Sequence, residues 1–169
     1  MNEPAAVVGS MHEAGGSGVV RMETRFDTTV EDVWEALTTP ARLARWLGNV
    51  DGDLRLAGTF HATFTSQWTG HGVVEVCEPP RRLLVRMRPD EEEAVLEETV
   101  IEAVVTPDGA GTRLVVEERG LSLGALHAYG AGWQVHVEDL GHHLRGTART
   151  AWHDRWVELA PAYRELSGP

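Results

Sequence analysis

"GAGWQVHVEDLGHHL", residues 130–144, carries the pattern on which the fold turns. At about 100° per residue, Trp133, Val137, Leu140 and Leu144 fall in one narrow arc of a helix, a stripe that must face a core. His136 sits on the edge of that stripe, and Asp139 and His143 lie further round the same flank. His142 and Val135 are expected to face solvent. A helix with one apolar stripe needs a surface to bury it, and the preceding residues supply one.

Working backwards, the apolar period changes from helical to two. Expected strands are 112–119 (TRLVVEER), 98–106 (ETVIEAVVT), 82–87 (RLLVRM), 70–78 (GHGVVEVCE), 59–66 (TFHATFTS) and 52–56 (GDLRL). "PDGAGT" reads as a hairpin loop, "EPPRR" as a turn, and "RPDEEEAV" as an acidic connection. Such short connections predict an antiparallel meander rather than βαβ units. Earlier still, "VVRMETRF" (19–26) reads as a further strand. In "DTTVEDVWEALTTPARLARWLG", Thr28 and Glu31 form a capping-box pattern ahead of Val30, Val33, Trp34 and Leu37. Thr39-Pro40 then starts a second short helix, expected to run to about Trp46 and to end at Gly48.

The Gly/Ala/Ser-rich opening reads as a mobile tail, residues 1–18. Beyond the central helix, residues 145–169 form a helical extension in which Pro161 is expected to kink or split the helix. Its Trp152 and Trp156, four apart, make one apolar ridge. That ridge would cap the chain's own sheet edge or form a homodimer contact, with the intrachain role preferred, so monomer and homodimer both stay open. A curled antiparallel sheet around the 130–144 helix is an α+β fold, and 169 residues are most simply one domain.

Bulk properties exclude several functions. The formal net charge is −11 and every basic residue is Arg, the opposite of the basic stripe of a nucleic-acid binder and unsuited to an anionic membrane surface. One cysteine, Cys77, allows no intrachain disulfide. No apolar run reaches membrane-spanning length, and the first residues lack the basic and apolar segments of a signal peptide. A cytoplasmic, soluble protein is expected, with no nucleic-acid or membrane partner.

The order of elements, with the pieces "VEDVWEALTTPARLARWLG", "GHGVVEVCEPPRRLLVRM", "VVTPDGAGTRLVVEERG" and "GAGWQVHVEDL", resembles the helix-grip (SRPBCC) superfamily of birch-pollen-allergen-like and START domains. More narrowly it is similar to the bacterial branch related to the C-terminal domain of the activator of heat-shock-protein-90 ATPase. The resemblance covers residues 19–144. It implies a seven-stranded antiparallel sheet wrapped around a long C-terminal helix, with two short helices between strands 1 and 2. In many relatives an apolar cavity between sheet and helix holds lipids, polyketides or hormones. Others are polyketide cyclases or co-chaperone modules, so activity does not follow from the fold.

Three functions are therefore weighed. The preferred one is a noncatalytic protein binding a small apolar or aromatic molecule. Its pocket would be lined by Trp46, Phe60, Phe64, Met87, Val116, Trp133, Val137 and Leu140, with Glu118 and His136 as polar anchors. The second is a cyclase or dehydratase in which His136 and Glu118 move protons. Its basis is that Leu114, Val116 and Glu118 share one strand face, so an inward Glu118 would have a raised pKa. The third is a co-chaperone-like module with a filled core. A metal at His136, Asp139 and His143 is disfavoured, because zinc would need a further ligand or water and no HExxH-type signature is present. No metal and no cofactor are expected.

Overall fold

The computed structural model describes residues 8–90 and 98–167. The chain order is β1 (Gly9–Ala14), β2 (Ser17–Phe26), α1 (Val30–Thr38), α2 (Pro40–Trp46), β3 (Gly48–Gly52), β4 (Thr59–Phe64) and β5 (Thr69–Glu78). It continues with β6 (Arg82–Pro89), β7 (Thr99–Asp108), β8 (Gly111–Leu121), α3 (Leu126–Arg145) and α4 (Trp152–Leu166). All strand pairs are antiparallel, in one sheet of order β1-β2-β8-β7-β6-β5-β4-β3. The helix-grip expectation holds, with α3 lying in the grip of the sheet.

The extra strand corrects the reading of residues 1–18 as a tail. Gly15 and Gly16 both have positive φ (62° and 88°), the backbone of a primed hairpin turn. They fold Gly9–Ala14 back onto Ser17–Met22. The Gly9 N–H donates to Tyr163 Oη at 3.1 Å, tying β1 to α4. Residues 1–7 lie outside the described residues, as do 91–97 of the acidic connection.

Three local signals resolve differently from expectation. The cap of α1 is Thr29, whose hydroxyl accepts from Asp32 N at 3.1 Å, while Thr28 Oγ1 donates to Asp32 Oδ2 at 2.6 Å. Gly48 does not end α2 but opens β3, with φ +154° and its α-carbon so close to Thr63 that a Cβ would lie 2.2 Å from the Thr63 carbonyl oxygen. Of the expected strand 52–56 only Gly52 is extended, as the end of β3, and the following residues turn. Asp53 Oδ1 accepts from Arg55 N at 2.9 Å, and Asp53 N donates to Thr59 O at 3.0 Å, the self-bonding that makes Asp a turn residue.

Alternation then sets the inner face of the sheet. Met22, Phe60, Val74, Met87, Val105, Leu114 and Val116 are all buried, whereas His61, Arg86 and Arg113 lie on the outside with exposed or half-exposed side chains. α3 ends at Gly146, whose φ of 74° is the left-handed cap that glycine adopts without strain.

α4 is continuous through Pro161. Pro161 is exposed, as is Val157 one turn earlier, so water can satisfy the carbonyl that the proline leaves unbonded. The opposite side of α4, Leu159, Ala160 and Tyr163, packs inward. Arg155 grips Glu138 of α3 through Nε (2.8 Å) and Nη2 (2.9 Å), and Tyr163 Oη donates to Gln134 Oε1 at 2.6 Å. α3 is thus enclosed on both sides. Val135, expected in solvent, is fully buried, as are Gln134 and Asp139.

Candidate functional site

Between the inner face of the sheet, α3 and the start of α4 lies a cavity of about 440 Å³. α3 contributes Tyr129, Gly132, Trp133 and His136, and the sheet contributes Phe64, Met87, Ile101 and Glu118. The β4–β5 turn brings Ser66, Gln67 and Trp68, and α4 brings Trp152, His153 and Trp156. Gln67 and His153 are exposed and mark the mouth. Gly132 matters by what it lacks: a Cβ there would point to Trp152 at 3.5 Å and towards Trp156 at 4.0 Å, so glycine leaves that part of the wall recessed.

Two further spaces adjoin. A more polar lobe of about 420 Å³ lies beside the Leu121–Ala125 loop and shares Trp68, Glu118 and Tyr129 with the cavity. A small apolar space of about 80 Å³ lies deeper, walled by Trp46, Phe60 and Val116 and sharing Phe64, Met87 and Trp133.

The expected pocket residues therefore divide. Phe64, Met87, Glu118, Trp133 and His136 line the main cavity. Trp46, Phe60 and Val116 border only the inner space. Trp46 is 2% exposed, and its indole N–H donates to Ala36 O at 3.0 Å. Val137 and Leu140 line neither space; they are buried in the main core, which also contains α1 and α2 residues. Trp68, Tyr129, Trp152 and Trp156 complete the wall, and the sequence reading had not assigned them to it.

Glu118 is the buried acid of the cavity, 7% exposed. Trp133 Nε1 donates to its Oε2 at 2.6 Å and Thr99 Oγ1 to its Oε1 at 2.8 Å. Burial outweighs those two donors and raises the carboxyl above its usual range. No arginine offsets it: Arg86 on neighbouring β6 is on the outer face, paired with Glu75.

His136 is 4% exposed and edge-on to Phe64 and Trp133, with ring centroids 5.9 and 5.6 Å away. Trp152 Nε1 donates to its Nδ1 at 3.4 Å, a long bond that leaves Nε2 to carry the proton of the neutral ring. Burial lowers its pKa to about 3, although the Trp46 backbone carbonyl partly favours the charged form. His136 is neutral across the physiological range.

The flank expected to offer a metal set is dispersed. Asp139 Oδ1 accepts from Thr150 N (3.1 Å) and Oγ1 (3.0 Å), pinning the α3–α4 connection, and burial raises its pKa. His143 Nε2 accepts from Arg42 Nε at 3.0 Å. With His136 turned to Trp152, the three never share a point.

Comparison with known proteins fits this architecture. The sequence model of the family described as "Activator of Hsp90 ATPase homolog 1-like protein" matches residues 27–145. The chain belongs to this family. No match was found among curated proteins. Of solved structures, CalU16 from Micromonospora echinospora is 25% identical with a TM-score of 0.75, over 95% of this chain and 96% of its own. DynU16, described as a protein of the dynemicin biosynthetic locus, is 27% identical with a TM-score of 0.70, over 79% of this chain and half of its own. PFC0360w, an HSP90 activator from Plasmodium falciparum, shares the fold at 16% identity and a TM-score of 0.62, over 76% of this chain and 96% of its own. Among the described residues no helix is long and apolar enough to cross a membrane.

Proposed function

We propose that this family member binds a small, largely apolar ring-bearing molecule in the cavity between sheet, α3 and α4, without transforming it. The observation that carries this reading is the composition of the wall. Four Trp, one Tyr and one Phe surround a space of about 440 Å³, within the range of small-molecule pockets. The buried polar groups there, Glu118 and His136, have partners of their own. Flat aromatic surfaces of this kind favour planar unsaturated ligands, which stack face or edge against them. DynU16's origin in a biosynthetic locus agrees with a secondary-metabolite ligand.

The acid/base alternative has less support. A general base works best with a pKa near the operating pH, and His136, at about 3, is far below it. Glu118 and His136 are each engaged by other partners. A co-chaperone role would not require an open cavity of this size.

The test is titration with N-phenyl-1-naphthylamine, a neutral fluorophore that accepts energy from tryptophan. Saturable binding with quenching of the wall tryptophans is expected. Gly132→Leu should abolish it while leaving the unfolding transition in place, because the new side chain starts where only Trp152 and Trp156 face it. Absence of saturable binding, or equal binding by Gly132→Leu, would refute the cavity reading.

A further inference from the structure

On the other side of the sheet, side chains from β4, β5 and the residue after β6 meet at the surface. His61 of β4 and His71 of β5 are directly paired across the ladder. Their rings stand edge to face with centroids 4.7 Å apart. Asp90, just past β6, is fixed above them by its own backbone, since its N–H donates to Thr69 O at 3.1 Å. Each carboxylate oxygen faces one imidazole: Oδ2 lies 2.7 Å from His61 Nε2 and Oδ1 lies 2.8 Å from His71 Nδ1. No two of the three donor atoms are more than 4.8 Å apart.

We propose that His61, His71 and Asp90 form a binding site for a divalent transition-metal ion, zinc foremost. Two imidazoles and a carboxylate without a thiolate suit zinc or its first-row neighbours. Three protein ligands leave at least one position for water. Zinc holds such donors at about 2.0–2.2 Å, so ligand atoms around it are about 3.3 Å apart. Closing from the present spacing takes only side-chain rotation, which these surface groups can make. The ring nitrogens now turned to the carboxylate are those that would bind the ion, so the metal replaces the shared hydrogens.

The surroundings favour a cation. Thr69 Oγ1 donates to Asp90 Oδ2 at 3.0 Å, the kind of outer hydrogen bond that orients a ligating carboxylate. Asp51 on β3 is the exposed cross-strand neighbour of His61 and adds negative charge on the same face. The nearby arginines are held by other acids, Arg88 by Glu98 at 2.8 Å and Arg86 by Glu75 at 2.5 Å. Phe60 and Ala62, flanking His61, point into the core, so the site is separated from the cavity by the sheet and does not depend on the ligand reading.

The experiment uses the full chain, stripped with a chelator and titrated with zinc against a chromophoric competitor, and with cobalt by absorption. One equivalent of zinc is expected, with imidazole resonances shifting only at His61 and His71. Asp90→Asn, His61→Ala and His71→Ala should each weaken binding at least tenfold, about the loss that even an outer partner causes. His153→Ala, at the cavity mouth, should leave it unchanged. Circular dichroism checks that each variant is folded; Asp90→Asn is nearly isosteric and remains decisive if an alanine variant is not. Absence of saturable zinc binding, or an affinity unaltered by Asp90→Asn and His61→Ala, overturns the proposal.

Discussion

His136→Phe isolates a strongly perturbed group of the cavity. In the unfolded chain this histidine titrates near the usual value of about 6.5, whereas in the folded protein it stays neutral down to about 3. As pH falls through that window the unfolded state takes up a proton that the folded state refuses, so stability is lost on acidification. Between about pH 7 and about pH 4.5 the loss is about 2.5 kcal/mol, at about 1.36 kcal/mol per pH unit. Phenylalanine preserves the ring contacts with Phe64, Trp133 and Trp152 but cannot titrate. It also removes the acceptor of the Trp152 N–H and the donor to the Trp46 carbonyl, a cost of about 2 kcal/mol for the two bonds. The variant should therefore be less stable at neutral pH and more stable than the parent below about pH 5, where the two effects cross. Urea unfolding at a series of pH values, followed by far-ultraviolet circular dichroism, measures this directly. Contributions from the carboxyl groups are common to both proteins and drop out of the difference. Stability curves that run parallel across the window, or a His136 resonance titrating in the ordinary range, would refute a neutral, water-excluded imidazole.

Two other predictions follow from α4 and its connection. Asp139 has a raised pKa in the fold, so its contribution is full at low pH and declines as pH rises through the folded value; Asp139→Asn keeps the acceptor for Thr150 and should gain on the parent between acid and neutral pH in the same unfolding assay. Arg155→Met removes the paired bonds to Glu138 and the bond to Glu158 at 2.8 Å, which should cost about 1 kcal/mol of global stability. The same variant should weaken naphthylamine binding more than that figure implies, because Trp152 and Trp156 on α4 are no longer held against α3; unchanged binding would show that the wall does not need the clamp.

The elements most legible in the sequence were those with a strong period or strong punctuation: α1, α2, the run from β4 to β8, and the apolar stripe of α3. The N-terminal strand was lost because Gly15-Gly16 has two meanings, a hinge in a tail or a primed turn, and only the packing of β1 against α3 and α4 distinguishes them. Val135 was misassigned to solvent for a related reason. A helical wheel knows one partner surface, and α3 has two. Trp152 and Trp156 were recognised as a ridge, but which surface it met depended on the direction of the Arg149–Ala151 connection, which no local pattern encodes. The His61–His71–Asp90 cluster escaped notice because metal spacing was sought along one helix. It is written instead across two strands and the residue after a third, where the facing of His61 and His71 follows from register and the place of Asp90 from one backbone bond after β6.

The extent of the family match sharpens the role of α4. The matched region ends at residue 145, the last residue of α3, yet three of the groups lining the cavity come from residues 152–156. A domain ending at α3 would leave the flank at Gly132 and His136 facing water, and it would lack the indole that fixes the His136 tautomer. In this chain the matched region thus supplies the sheet, α3 and Glu118, while α4 turns an open side into an aromatic wall. CalU16 aligns over 95% of this chain, and the remaining residues are too few to exclude all of α4, so the aligned span reaches into this helix. Under the proposed ligand reading, Trp152, His153 and Trp156 meet the ligand from the side that the sheet and α3 leave free.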